Sequence, residues 1–267
     1  VVDLLYYLLV IGDYYMQTKV KTKSEIKAMR ESGRMLATVL NVLRPKVVPG
    51  MSTQDLANEA ARELNALGEG TASFKGYQGF PDVICISVNN EVVHGIPNKE
   101  KIIDDGDIVS LDFGVTYKGM ITDSAISVIA GKPKQKGHIE LLKDTEIAMH
   151  KGINTLRDQV RTGDIGEAIE RYLTEHRYGI VRDLVGHGVG HQVHEDPNIP
   201  NYGRKNTGPW LSAGMTIAIE PMVTLGGDDV TVAPDGWTIL TRDGSWAAHF
   251  EHTVLITDKG AEILTQI

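Results

Sequence analysis

Two spacings of apolar residues alternate along this chain. From Lys23 to Leu43, apolar positions recur every three or four residues: Ile26, Met29, Leu36, Leu40 and Leu43, with Gly33 on the same stripe. That is the period of an amphipathic helix. Ser24 is the expected cap, and Pro45 the stop. A second helix is predicted after the Pro49-Gly50 turn. Ser52-x-x-Asp55 resembles a capping box, Leu56, Ala60, Leu64 and Leu67 form the buried face, and Gly68 ends it.

The period then shortens. Ile84, Ile86 and Val88 alternate with Cys85 and Ser87, as in a strand. Ile108–Phe113 and Met120–Ile129 flank Lys118-Gly119 and read as a hairpin. The pattern restarts with a helix from His138 to about Asp158. Another is capped by Asp164-x-x-Glu167, carries Ile165, Ile169, Leu173 and His176, and stops at Gly179. Strands return at Met215–Thr224, Trp237–Thr241 and Ala247–Thr257. Two helices then strands, twice over, predict pseudo-equivalent halves, about 16–133 and 138–267, joined near Gly131–Gly137. Both halves are expected to build one sheet, hence one domain.

Val1–Tyr15 stands apart. It is apolar and aromatic, too short for a membrane span, and lacks a basic n-region and a cleavage site. We expect residues 1–15 to be an upstream extension, Met16 the natural start, and 16–267 the domain.

Composition narrows the function. The 267 residues carry a net charge of −8, which argues against a dedicated nucleic-acid binder. The lysines at 19, 21, 23 and 27 read as a solvated face. The single cysteine, Cys85, forms no internal disulfide and fits a reducing, cytoplasmic setting. No segment suggests a membrane protein.

Acids inside apolar strands carry the chemistry. Asp112 and Asp123 lie in the two arms of the hairpin. If Lys118-Gly119 is its two-residue turn, paired residues sum to 237. Asp112 then faces Ala125, Asp123 faces Gly114, and the carboxylates are diagonal neighbours on one face. A register summing to 235 would set them directly opposite. Either way they repel unless a cation lies between them. Glu220, in Ile219-Glu220-Pro221, and Glu251, in Phe250-Glu251-His252, are two more acids in apolar runs. His187 lies among glycines in Gly186-His187-Gly188-Val189-Gly190. Buried charges of this kind must be paired or bound to metal.

Six motifs in order resemble the type I methionine aminopeptidases, of the creatinase/aminopeptidase "pita-bread" fold. They are Val93-His94-Gly95-Ile96-Pro97, Leu111-Asp112-Phe113-Gly114, Asp123, Gly186-His187-Gly188 with His194 seven residues on, Ile219-Glu220-Pro221-Met222, and Phe250-Glu251-His252-Thr253. The likeness covers essentially all of 16–267. It implies an α+β fold with pseudo-two-fold symmetry: an antiparallel sheet with flanking helices and a dinuclear metal site between the halves.

The same resemblance implies five metal ligands: Asp112, Asp123, His187, Glu220 and Glu251, with Asp123 and Glu251 bridging. Four oxygen donors and one imidazole suit two divalent ions, Mn(II), Fe(II), Co(II) or Zn(II), and do not choose among them. The implied reaction is hydrolytic removal of N-terminal methionine from nascent chains, at or near the ribosome, by a water activated between the metals. Glu220 would take its proton, His194 would steady the oxyanion, and His94 would contact the scissile nitrogen. Tyr77, Phe80, Cys85 and Trp237 would line the methionine pocket, with a small second residue preferred. Val193 is smaller than the aromatic residue many relatives carry, so one wall is expected to be less filled. His191 and His249 receive no role, and His252 is expected to support Glu251. A monomer is expected. Two alternatives are an Xaa-Pro aminopeptidase, for which the roughly 90 residues before His94 leave too little room, and a non-catalytic ribosome- or RNA-binding member, which would be expected to lack ligands.

Overall fold

The computed structural model describes residues 17–267. The expected extension over 1–15 and the expected start at Met16 lie outside the described residues.

Helix α1 spans Lys23–Leu43, as the periodicity predicts, and buries Met29, Ser32, Gly33, Leu36, Leu40 and Leu43. Its cap is Thr22 rather than Ser24. Thr22 Oγ1 accepts from the Glu25 amide at 3.3 Å, and Glu25 Oε2 accepts from the Thr22 amide at 2.7 Å. The carboxylate three residues on decides the cap: Thr22 has Glu25 there, whereas Ser24 has Lys27. Helix α2, Thr53–Ala66, starts at the expected Ser52–Asp55 capping box, and Gly68 follows it with a φ of 104°.

Of the strands that follow, those that build the site begin with β1, Cys85–Val88, and β2, Ile108–Tyr117; β3, Met120–Ile129, completes the hairpin. Its register sums to 237, pairing Asp112 with Ala125 and Gly114 with Asp123. Helix α3, Lys136–Ile153, stops short of the expected Asp158. The chain beyond it is drawn into a two-stranded pairing of Val160–Arg161 with Trp210–Leu211. Helix α4, Thr162–Glu175, begins two residues before the expected cap. Asp164 instead reaches back from the first turn, where Oδ2 accepts from the Arg161 amide at 3.1 Å.

The remaining strands that build the site are β4, Gly186–Gly188; β5, Glu195–Ile199; β6, Thr216–Ile219; β7, Met222–Thr224; β8, Ala247–His249; and β9, Glu251–Ile256. Two predicted continuous strands are therefore each broken, at Glu220-Pro221 and at Phe250. Proline cannot donate to a ladder. The fragments before and after each break join different sheets. β6 pairs with β9 in the main sheet, while β7 pairs with β8 in a smaller one. The expected strand over Trp237–Thr241 shortens to Ile239–Thr241, because the Asp235 side chain accepts from the Trp237 and Thr238 amides in a turn.

The main sheet has nine strands and its pairings are antiparallel. Its order runs Thr71–Ala72, β2, β3, β9, β6, β4, β5, with β1 also on β2 and Ala261–Ile263 on β9. Helix α1 packs on β2 and β3, and α3 on α4. This is the α+β architecture expected. No helix among the described residues is long and apolar enough to cross a membrane.

One lysine departs from the predicted solvated face. Lys19, Lys23 and Lys27 are exposed, but Lys21 is buried, because Glu195 meets its ammonium group inside the protein.

Gly33 fixes how α1 meets the end of the chain. A Cβ there would overlap the Leu264 carbonyl. Alanine gains about 1 kcal/mol of helix propensity over glycine, but here it must push the C-terminal segment away, at about 1–3 kcal/mol for overpacking. Gly33→Ala is expected to lower the thermal midpoint, measured by circular dichroism; a raised midpoint would contradict this packing.

Candidate metal centre and substrate pocket

Strand register alone collects the acids. Asp112 on β2 lies opposite Cys85 on one side and Ala125 on the other, and Ala125 lies opposite Glu251 on β9. These four residues form a row across four strands on one face. Asp123 shares that face, two positions from Ala125. Further along the sheet, Gly188 pairs with Ile217 and Ala218 with Thr253. His187 therefore falls on the same side as Ala218, and Glu220, just past the end of β6, continues that face. The small Ala125 side chain leaves the space between Asp112 and Glu251 open.

All five predicted ligand residues line one cavity of about 600 Å³, counting its open mouth. Burial raises Asp112, Glu220 and Glu251 well above the usual carboxylate range and lifts Asp123 to about 7, with the neighbouring acids pushing Asp112, Glu220 and Glu251 higher still. Asp112 Oδ1, Asp123 Oδ1 and Glu251 Oε1 are buried with no hydrogen-bond partner.

His187 shows what the orphaned oxygens want. Its Nδ1 lies 2.8 Å from the Gly188 carbonyl, which can only accept, so Nδ1 carries the proton. Burial depresses this imidazole to about 4, so it is neutral near pH 7. Its Nε2 lone pair then faces Glu220 Oε1 at 3.3 Å. Once Glu220 ionises, two electron pairs stand face to face, and a cation between them satisfies both. Asp123, His187 and Glu251 offer ligand atoms within 4.8 Å of one another, and so do Glu220, His249 and Glu251. The donor set fits divalent cations, with Glu251 common to both groups.

His249 is a residue to which the motifs assign no role. It is 1% exposed, and its Nε2 lies 3.4 Å from Glu220 Oε2, opposite the oxygen that faces His187. The available signal is its position two residues before Glu251. His252 does not support the Glu251 carboxylate. It points to the other face of β9, where Nδ1 meets Thr265 Oγ1 at 2.9 Å.

His94 and His194 also line the cavity. His94 has a φ of 59°, an uncommon conformation for a residue with a side chain, and burial lowers its imidazole to about 4. His194 Nδ1 lies 3.0 Å from the Tyr77 hydroxyl, and its ring meets the His187 ring edge-on at 4.3 Å. Tyr77, Phe80, Cys85 and Trp237 form the apolar wall, with Phe80 and Trp237 edge to face at 5.2 Å. Val193 belongs to that wall too. It is buried in one cluster with Phe74, Phe80 and Cys85, so this position takes part in the pocket wall through a valine. Phe74 and Gln78 also line the cavity, unforeseen from the sequence. His191 points away, toward Glu25 at 2.8 Å.

Two expectations follow from this geometry. The folded, cation-free chain holds the Asp123 proton up to about pH 7, whereas an unfolded aspartate releases it near 3.9. Stability without cations therefore falls as pH rises through that window. A divalent cation should raise the thermal midpoint more at about pH 7.5 than at about pH 5. An equal shift at both, in thermal melts with chelator and with Mn(II), would contradict the raised carboxyls. His249→Ala should weaken cation binding about 10–100-fold by freeing Glu220, measured by calorimetry; unchanged affinity would remove His249 from the site.

Comparison with known proteins gives the family. Residues 27–258 match the model of metallopeptidase family M24. The methionine aminopeptidase of Clostridium perfringens is 44% identical over 247 residues, covering 92% of this chain and 98% of that protein. The crystal structure of the methionine aminopeptidase from Thermotoga maritima superposes with a TM-score of 0.91 at 44% identity, covering 94% of this chain and all of that one. An Xaa-Pro dipeptidase from Bacillus anthracis shares the fold, with a TM-score of 0.74 at 24% identity, and this chain covers 62% of it. With its ligand-type residues gathered on one sheet face and its length matched almost throughout, the chain belongs to the methionine aminopeptidases of metallopeptidase family M24.

Proposed function

We propose that the cavity removes the N-terminal methionine of peptides and nascent chains by metal-dependent hydrolysis. The observation that carries this reading is the meeting of five ligand-type side chains with a small apolar pocket in one cavity. Asp112, Asp123, His187, Glu220 and Glu251 would hold two divalent cations, and the mostly oxygen donor set favours Mn(II), Fe(II) or Co(II) at least as much as Zn(II). Bound cations supply counter-charge to the carboxylates and lower the pKa of a coordinated water toward neutrality.

The chain's own groups do the rest. Tyr77, Phe80, Cys85 and Trp237 take the methionine side chain out of water and fix its scissile carbonyl at the carboxylate face. Cys85 is a wall and not a nucleophile, because burial raises its thiol well above the usual range. Glu220, flanked by two imidazoles, accepts the proton of the attacking water. His194 is held by Tyr77 and donates to the developing oxyanion. His94 contacts the scissile nitrogen and helps the amine leave. A tight apolar pocket beside the scissile bond favours a small second residue. We assign the enzyme to the cytoplasm, acting as a monomer on chain N-termini as they leave the ribosome.

The test is turnover of Met-Ala-Ser, Met-Lys-Ser and Ala-Pro peptides after chelation and reconstitution with single metals. Met-Ala-Ser should be cleaved and Met-Lys-Ser poorly; cleavage of Ala-Pro alone would overturn the reading. Asp112→Asn and Glu251→Gln should each abolish turnover with little change in circular dichroism. Activity retained in both would refute a two-cation site.

A further inference from the structure

Outside the cavity, one buried charge pair has no part in the reaction described above. Lys21 and Glu195 both have fully buried side chains, with Nζ 3.1 Å from Oε2. Lys21 Nζ also donates to Thr18 Oγ1 at 3.1 Å and to the Lys19 carbonyl at 3.2 Å. Burial lowers its pKa, and Glu195 opposes that shift. The other carboxylate oxygen, Glu195 Oε1, accepts from the backbone amides of His191 at 2.6 Å and Gln192 at 3.1 Å.

Those two amides belong to a loop with a destination. It starts at Gly190, whose φ of 147° lets the backbone pass where a Cβ would overlap Lys21 Cε. The Gly190 carbonyl accepts from the Ile121 amide at 2.7 Å, tying the loop to β3. His191 Nε2 lies 2.8 Å from Glu25 Oε1, at the start of α1. The loop ends with Val193 and His194, both facing the cavity. The stretch that carries Lys21 is itself anchored. The Thr18 amide donates to the Asp196 carbonyl at 2.7 Å, and the Lys21 amide to the Gly214 carbonyl at 2.8 Å.

A buried ion pair is a weak source of stability, because desolvating both charges offsets most of their attraction. Apolar residues would serve packing as well. They would not hold two adjacent amides at a fixed point next to a cavity residue. We propose that Lys21 and Glu195 are positioning residues: the Thr18–Lys21 stretch, through Lys21, holds the Glu195 carboxylate, which sets the loop that delivers His194 and Val193 to the substrate. This rests on the role given to His194 above.

The design predicts which substitutions can be rescued. Lys21→Met takes away the lysine that holds Glu195 Oε2 and leaves His191 Nδ1, 3.6 Å from Oε1, as the nearest basic group, so the side chain should move and the loop with it. A misplacement of about 1 Å can cost about 100-fold in rate, so kcat on Met-Ala-Ser should fall about 10–100-fold, with KM nearly unchanged. The double variant K21M/E195Q buries no charge and keeps an oxygen acceptor for both amides, so it should recover most of the loss. K21M/E195A removes the acceptor and should not recover.

The experiment measures kcat, KM and thermal midpoint for the metal-reconstituted wild type and these variants. Recovery in K21M/E195Q but not in K21M/E195A, at matched thermal midpoints, supports the proposal. Equal kcat in the two double variants overturns it, as does a kcat that follows the thermal midpoint across the set. If K21M alone does not fold, the two double variants still decide. A wild type that turns over no Met-peptide with any metal would sink the functional reading instead, so the two failures are distinguishable.

Discussion

Four carboxyl groups on one face of an apolar sheet repel one another and have little water to screen them. That constraint shapes the rest of the centre. Without a counter-charge, burial drives Asp112, Glu220 and Glu251 far toward their neutral forms. Folding alone gives no reason to place Asp112 opposite Ala125 and Glu251 opposite the same residue. The arrangement is intelligible only if a ligand of opposite sign repays it. The neutral His187, its lone pair turned toward Glu220, is part of the same arrangement.

The sheet meets this demand by register rather than by loops. β2, β3 and β9 carry three of the acids at positions fixed by ladder hydrogen bonds, which makes the geometry stiff. Thr253 strengthens the seam: its hydroxyl accepts from the Asp123 amide and donates to the Asp123 carbonyl, both at 2.8 Å. The less tightly laddered parts lie around this frame. Glu220 sits at a strand break before Pro221, and His94 and His194 lie outside the strands. A rigid ligand row with proton-handling groups set around it suits a site whose charges must stay put while protons move.

Much of this is legible in the chain because it is local. The hairpin register follows from one turn dipeptide and a period of two, and these alone place Asp112 and Asp123 together. The helices follow from periodicity and caps. The departures are at their ends, where Glu25 selects Thr22 over Ser24 and Val160 is pulled into another sheet. Long-range placement is not legible. The breaks at Glu220-Pro221 and Phe250 arise because fragments on either side join different sheets. Pro221 hints at one of them; Phe250 has no such mark. Lys21 reads as solvated because its neighbours are lysines, and its partner Glu195 lies 174 residues away. His249 gains its place only where β8 and β9 turn the corner around Glu220.

The Asp123–Thr253 pairing has a consequence in time. Its partners are 130 residues apart in sequence, and Glu251 comes from the same distant strand as Thr253. Hairpin β2–β3 can form early from local contacts, but its two acids gain Glu251 as a neighbour only after β9 is synthesised and docked. Pairings of such high sequence separation form slowly, since loop closure must be met before the contacts reward it. A growing copy therefore lacks the full row of acids until β9 has emerged and docked on β3.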